Sequence, residues 1–248
     1  MLARYARTLS ADELIRVGRF VHEEDRDRFV AARGFLRAVL GAYVGRAPAA
    51  IRFVYGQHGK PALAGAAPAP AFNLSHSGDW VLCAVAPARA VGVDVERVQS
   101  GFLIDELAGV LSRDERRGLD LLTGDERVHS FFETWTRKEA VAKAIGTGVT
   151  VPLDRFEVGV GSANRATELA PTCVVGPWRV VRADPAPGYA GSVAIDEGDW
   201  GIRYWDGPPA GGGSAGPPVH DSRRSGQRSV STEATVGMPL PFGTDLHR

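Results

Sequence analysis

A chain of 248 residues, 44% hydrophobic and 23% charged, is ordinary for a globular protein and long enough for one large core or two small ones. Its 29 basic and 29 acidic side chains cancel, so the overall positive field that a general nucleic-acid binder needs is missing.

In chain order, Met1-Leu2-Ala3-Arg4-Tyr5-Ala6-Arg7 lacks the apolar core of a signal peptide, and nowhere does an apolar run approach the ~20 residues of a membrane span. The expectation is a soluble cytoplasmic protein. Ser10-Ala11-Asp12-Glu13 forms a capping-box pattern that predicts a helix to about Phe20. A longer helix is predicted over residues 24–43. Phe29, Val30, Leu36, Val39 and Leu40 form its apolar stripe, and Arg26, Arg28, Arg33 and Arg37 much of its polar surface. A strand over 51–55 leads into the loop Gly56-Gln57-His58-Gly59-Lys60-Pro61, and the Ala/Pro-rich stretch 62–71 reads as irregular. Strands follow over 72–75, 80–86 and 91–96. Cys83 and Cys173 both sit in apolar runs without metal-type neighbours, which points to reduced core thiols.

The second half restarts the alternation. Ser112-Arg113-Asp114-Glu115 and Thr123-Gly124-Asp125-Glu126 are further capping boxes, and the second opens a helix ending near Gly146-Thr147-Gly148. Strands are predicted over 156–160, 172–175, 178–182, 189–195 and 201–205. Helices paired with antiparallel-looking strands give an α+β class. From residue 206 the chain turns Gly/Pro/Ser/Arg-rich with almost no aromatic residues, and a disordered tail is expected over 206–248.

Three stretches carry chemistry. Val91-Gly92-Val93-Asp94-Val95-Glu96 alternates strictly, so the valines face a core and Asp94 and Glu96 share the other face, with Cα atoms roughly 7 Å apart. One hard cation fits between such side chains; the ordinary alternative is a solvated strand face. In Trp135-Thr136-Arg137-Lys138-Glu139-Ala140-Val141-Ala142-Lys143, the residues Trp135, Glu139 and Lys143 stand four apart on one helix face. Glu139 then serves as a third oxygen ligand or a base and Lys143 meets a phosphate, unless the pair is a surface bridge worth ~0.3–0.5 kcal/mol. In Phe72-Asn73-Leu74-Ser75-His76-Ser77, His76 is either a phosphate donor or a hydrogen-bonded turn residue. Together these residues suggest Mg²⁺-assisted chemistry on a phosphorylated substrate.

With Gly59-Lys60-Pro61, in this order, the motifs resemble the surfactin-synthetase-activating (Sfp) type of 4′-phosphopantetheinyl transferase over roughly residues 10–205. The resemblance implies a pseudo-dimer of two similar α+β halves, residues 1–100 and 101–205, with coenzyme A in the cleft between them. It implies transfer of the phosphopantetheine arm to a serine of an acyl or peptidyl carrier protein, releasing adenosine 3′,5′-bisphosphate. Asp94, Glu96 and Glu139 would hold Mg²⁺, or Mn²⁺ in its place. Lys143, Lys138 and His76 would contact phosphates, and Arg16, Arg28, Lys60, Pro61 and Ser75 would hold the nucleotide end. Glu139, directly or through water, would be the base, with Lys143 and His76 completing the catalytic set. The expected partners are coenzyme A and apo-carriers that are acidic around the modified serine; neither nucleic acid nor membrane is expected, and the enzyme would act as a monomer. A docking surface is expected over 102–122, with Phe102, Leu103, Ile104, Leu107 and Leu111 flanked by Arg113, Arg116 and Arg117.

Overall fold

Helix-forming signals at both ends fix the long helices. The computed structural model describes residues 1–65, 68–87, 89–146, 151–161, 166–167, 178–196, 202, 204 and 233–235. After the short helix α1 (Leu2–Ala6), α2 (Ala11–Val17) opens on the Ser10–Glu13 capping box and stops short of the expected Phe20, at Gly18. The 22-residue α3 (Glu23–Val44) carries three acids in its first turn and ends on Gly45 in the left-handed region, φ 64°. Two of its arginines are not surface residues. Glu13 is 3% exposed and takes Arg33 Nε at 3.0 Å and Arg37 Nε at 2.7 Å, so a buried carboxylate draws both cations into the α2–α3 contact.

The hairpin β1 (Phe53–Tyr55) and β2 (Pro61–Leu63) lies in part where an irregular stretch was expected. Strand β3 (Ala71–Ser77) pairs antiparallel with β4 (Trp80–Ala86), so the first motif continues as strand through His76. In β4, Val81, Cys83 and Val85 pack under α3, while Leu82, Ala84 and Ala86 pack on β5 (Val91–Arg97). Burial of the thiol pushes Cys83 up to about 12.

Strand β5 is hydrogen-bonded to β8 (Tyr189–Asp196), which continues to β7 (Trp178–Arg182) and the two-residue β6 (Ala166–Thr167). Short helices α4 (Ile104–Leu107) and α5 (Arg113–Asp120) precede the 22-residue α6 (Gly124–Ile145), which covers the far face of this sheet. The Ser112 capping box forms, whereas Thr123 starts its helix without a side-chain cap bond. The layers therefore run α3, β3–β4, β5–β8–β7, α6, an α+β arrangement.

Residues 156–160 do not form the expected strand. Their backbone is satisfied by side chains: Val158 N–H donates to Glu115 Oε1 at 2.7 Å, and Phe156 carbonyl accepts from Lys138. The strand expected over 172–175 lies outside the described residues, and Ile202 and Tyr204 lie in no strand. Within the tail expected to be structureless, Glu233–Thr235 form β9, antiparallel to the free edge of β4. Pairing there satisfies backbone groups on an edge strand that is buried on both faces. The rest of 206–248 lies outside the described residues.

Candidate active site

Glycine places the helix on the strand. A Cβ on Gly92 would stand 2.0 Å from the Ala140 carbonyl oxygen and 2.4 Å from Ala144 N, so only a bare backbone lets β5 and α6 touch. The face of β5 that carries Asp94 and Glu96 is therefore covered by α6 instead of being solvated. Asp94 is 1% exposed, and Lys143 Nζ, from α6, lies 2.5 Å from its Oδ1. Lys143 Nζ also donates to Ser75 Oγ at 3.1 Å, and that hydroxyl donates to Asp94 Oδ1 at 2.8 Å. Glu139 stands one turn before Lys143 and is half-buried. Glu96, next on the β5 face, accepts from Ser77 Oγ at 2.8 Å.

Burial raises the pKa of Asp94 despite the Lys143 ammonium and the hydrogen bonds. It also raises Glu96, which is pushed further by Asp94 and Glu139, and Glu139, pushed further by Asp94. Three buried or half-buried acids whose charge is disfavoured by burial, and for Glu96 and Glu139 also by the Asp94 charge, are a setting that a divalent cation relieves. Asp94 Oδ2 is buried without a hydrogen-bond partner among the described residues, which leaves an oxygen for such an ion. The donor set thus fits a hard cation. It is not a closed cage: among the described residues no three His, Cys, Asp or Glu side chains are gathered closely enough to hold a metal, and Lys143 is the cation beside Asp94.

A cavity of about 420 Å³ is lined by Arg16, Arg28, Pro61 and His76 among others. Arg16 stacks its guanidinium 5.0 Å from the Phe29 ring centre, and Arg28 pairs with Glu24 and Asp25 at 3.3 and 3.2 Å. His76 follows Ser75 on β3 and links this cavity to the acid cluster. Desolvation lowers its pKa, and the Lys143 and Arg28 charges lower it further, so at neutral pH the imidazole is mainly neutral.

One expected phosphate contact, Lys138, and one expected nucleotide contact, Lys60, are engaged elsewhere. Lys138 is fully buried, 2.7 Å from Glu115 Oε2, and donates to the carbonyls of Leu153 and Phe156 at 2.7 and 2.5 Å. It stands next to Glu139 in sequence but about 100° away around the helix, which turns it from the face that carries Glu139. Lys60 donates to the Lys143 and Ala144 carbonyls at 2.6 and 3.2 Å, where it caps the C-terminus of α6. In the expected docking segment, Ile104 and Leu111 are core residues and Phe102 stacks on Phe131, so of the five apolar residues expected there Leu103 and Leu107 are exposed, and Leu121 is exposed beside them. Sequence reasoning missed Gly92, Asn73 and Ser77 as parts of this site, although all three stand inside the motifs.

Residues 2–88 match the family model described as 4′-phosphopantetheinyl transferase, N-terminal, and residues 90–187 match that of the 4′-phosphopantetheinyl transferase superfamily. The 4′-phosphopantetheinyl transferase HetI of Nostoc sp. is 36% identical over 204 residues, covering 81% of this chain and 84% of the relative. A 4′-phosphopantetheinyl transferase of Bacillus subtilis is 34% identical over 155 residues, covering 62% and 68%. The transferase Sfp of Bacillus subtilis strain 168 is 30% identical over the same shares. The chain belongs to the 4′-phosphopantetheinyl transferase family and is a transferase enzyme.

Proposed function

We propose that this enzyme transfers the 4′-phosphopantetheine arm of coenzyme A to a serine of apo acyl or peptidyl carrier proteins, in a Mg²⁺-dependent reaction that releases adenosine 3′,5′-bisphosphate. The observation that supports it best is the contact of Asp94, Lys143 and Ser75 beside a cavity lined by Arg16, Arg28 and His76. Acid, ammonium and arginine are the groups that a pyrophosphate with a charged nucleotide end calls for. The proposed frame is a pseudo-dimer, with halves 1–100 and 101–205, in which β5 crosses into the sheet of the second half. It works as a monomer in the cytoplasm; among the described residues no helix is long and apolar enough to cross a membrane.

In this reading Arg16, Arg28 and Pro61 hold the nucleotide end, with Ser75 and His76 at its phosphates. Asp94, Glu96 and Glu139 hold the divalent ion, which when bound offsets the charge that develops on the leaving phosphate. Lys143 turns from Asp94 to share that charge. Glu139, directly or through water, accepts the proton of the incoming serine hydroxyl. The serine oxygen bonds to the β-phosphorus, the phosphoanhydride breaks, and the leaving group departs with the bridging oxygen.

The test is incubation with coenzyme A, Mg²⁺ and a panel of apo-carriers, followed by intact-mass spectrometry. Holo-carrier and adenosine 3′,5′-bisphosphate are expected in equal amounts. Free phosphopantetheine without carrier modification would mean a hydrolase. Asp94→Ala and Glu96→Ala are each expected to lose detectable transfer with an unchanged circular dichroism spectrum; near-wild-type rates from either would remove the ligand assignment.

A further inference from the structure

The two sheets meet along a seam of side chains. In an antiparallel pair, alternate residues point their N–H groups away from the partner strand. On β5 these are Val93, Val95 and Arg97. Each meets an oxygen on one face of β3: Val93 N–H donates to Asn73 Oδ1 at 2.8 Å, Val95 N–H to Ser75 Oγ at 3.4 Å, and Arg97 N–H to Ser77 Oγ at 3.0 Å. The offset of 20 residues is constant, so β3 and β5 run parallel and in register. Side chains stand here where a neighbouring strand would supply carbonyls.

A hydroxyl that accepts an N–H still has its proton to give. Ser75 gives it to Asp94, and Ser77 gives it to Glu96, each at 2.8 Å. The atom that closes the strand edge thus also fixes the acid one residue earlier. Asp94 is held in addition by Lys143 and by near-complete burial. Glu96 is half-buried and longer, with more rotamer freedom to lose on being fixed. Ser77 is the hydrogen-bond partner that the described residues give it.

We propose that Ser77 is a positioning residue: it holds Glu96 in the orientation that receives a divalent cation while it anchors the first sheet to the β5 edge. The proposal rests on the reading of Asp94, Glu96 and Glu139 as the ion site. Outer partners of ligating carboxylates are worth about 10–100-fold in metal affinity. Tyr189 pins the same hairpin from the other sheet, since its hydroxyl accepts from Asp79 N–H at 3.2 Å, so the turn stays in place without the serine.

The experiment compares Ser77→Thr with Ser77→Val, which have the same shape and differ in the hydroxyl, beside Ser77→Ala and the wild type. Binding of Mn²⁺ is measured on the full chain by the paramagnetic resonance signal of the free ion, with unfolding followed by circular dichroism. The Mg²⁺ concentration for half-maximal transfer is measured separately. The threonine variant is expected to bind Mn²⁺ within threefold of wild type. The valine and alanine variants are expected to bind it about 10–100-fold more weakly, with near-wild-type rates regained at high Mg²⁺. Equal Mn²⁺ affinity in the threonine and valine variants overturns the proposal, as does valine weakening that high Mg²⁺ does not recover. A wild type that neither binds Mn²⁺ nor modifies carriers overturns the functional reading instead.

Discussion

Lys138 and Lys143 stand five residues apart on one helix and do opposite work. Lys143 is partly exposed and shares Asp94 with Ser75 at the acid cluster. Lys138 is buried over the Phe156 ring, its ammonium 4.7 Å from the ring centre, and neutralises Glu115. Glu115 in turn accepts from the Ser112 and Val158 N–H groups, so one ion pair ties α5, α6 and the 156–158 backbone together. Lys138→Met leaves Glu115 buried without its cation and is expected to cost about 3–5 kcal/mol in urea unfolding. The KM for coenzyme A, measured where the variant is folded, should stay at the wild-type value. A raised KM with unchanged stability would return Lys138 to the phosphate.

At the scale of elements, the central joint is β5 against α6. Gly92 is its thinnest point, and what a Cβ would meet is helix backbone, which cannot rotate aside. Gly92→Ala must push α6 away, carrying Glu139 and Lys143 from Asp94. The expected loss is about 1–3 kcal/mol of stability from overpacking, together with a fall in kcat larger than the unfolded fraction explains, measured well below Tm. Normal turnover in a destabilised variant would show that the acids tolerate the shift. Capping boxes and strict alternation made α2, α5, β3 and β5 legible in the sequence, because those signals are local. Residues 156–160 misled because an apolar alternating run reads as a strand, whereas here Glu115 and Lys138 satisfy its backbone from a distance. Arg37 misled likewise: a charge reads as surface until a buried Glu13 is found opposite. The acids were legible as a pair, but not the serines that hold them, since that contact joins strands 20 residues apart.

For the whole molecule, the segment that leaves β5 is the expected landing site of a carrier. The segment after β5 starts beside Glu96, since Arg97 ends the strand and α4 and α5 follow within 20 residues. Leu103 is 66% and Leu121 84% exposed, and Arg113 and Arg116 lie on the outer side of α5. Apolar side chains left in water on the segment that leaves the acid-bearing strand, with arginines at their edge, suit an acidic protein surface. Asp105, Glu106 and Asp114 are also exposed there, so the attraction is local and depends on individual arginines rather than on a uniform field. Such rim charges act mainly on encounter, and salt screens them over ~10 Å at 0.1 M. Arg113→Glu combined with Arg116→Glu is therefore expected to raise the KM for an acidic apo-carrier severalfold at low salt and less at high salt, with the KM for coenzyme A unchanged. Leu103→Ser should act differently, speeding dissociation of the carrier at every salt concentration, because an apolar anchor is not screened. Steady-state kinetics with each substrate varied in turn, at two ionic strengths, separates the two effects. Equal changes for carrier and coenzyme A, or none for either, would place the docking surface elsewhere.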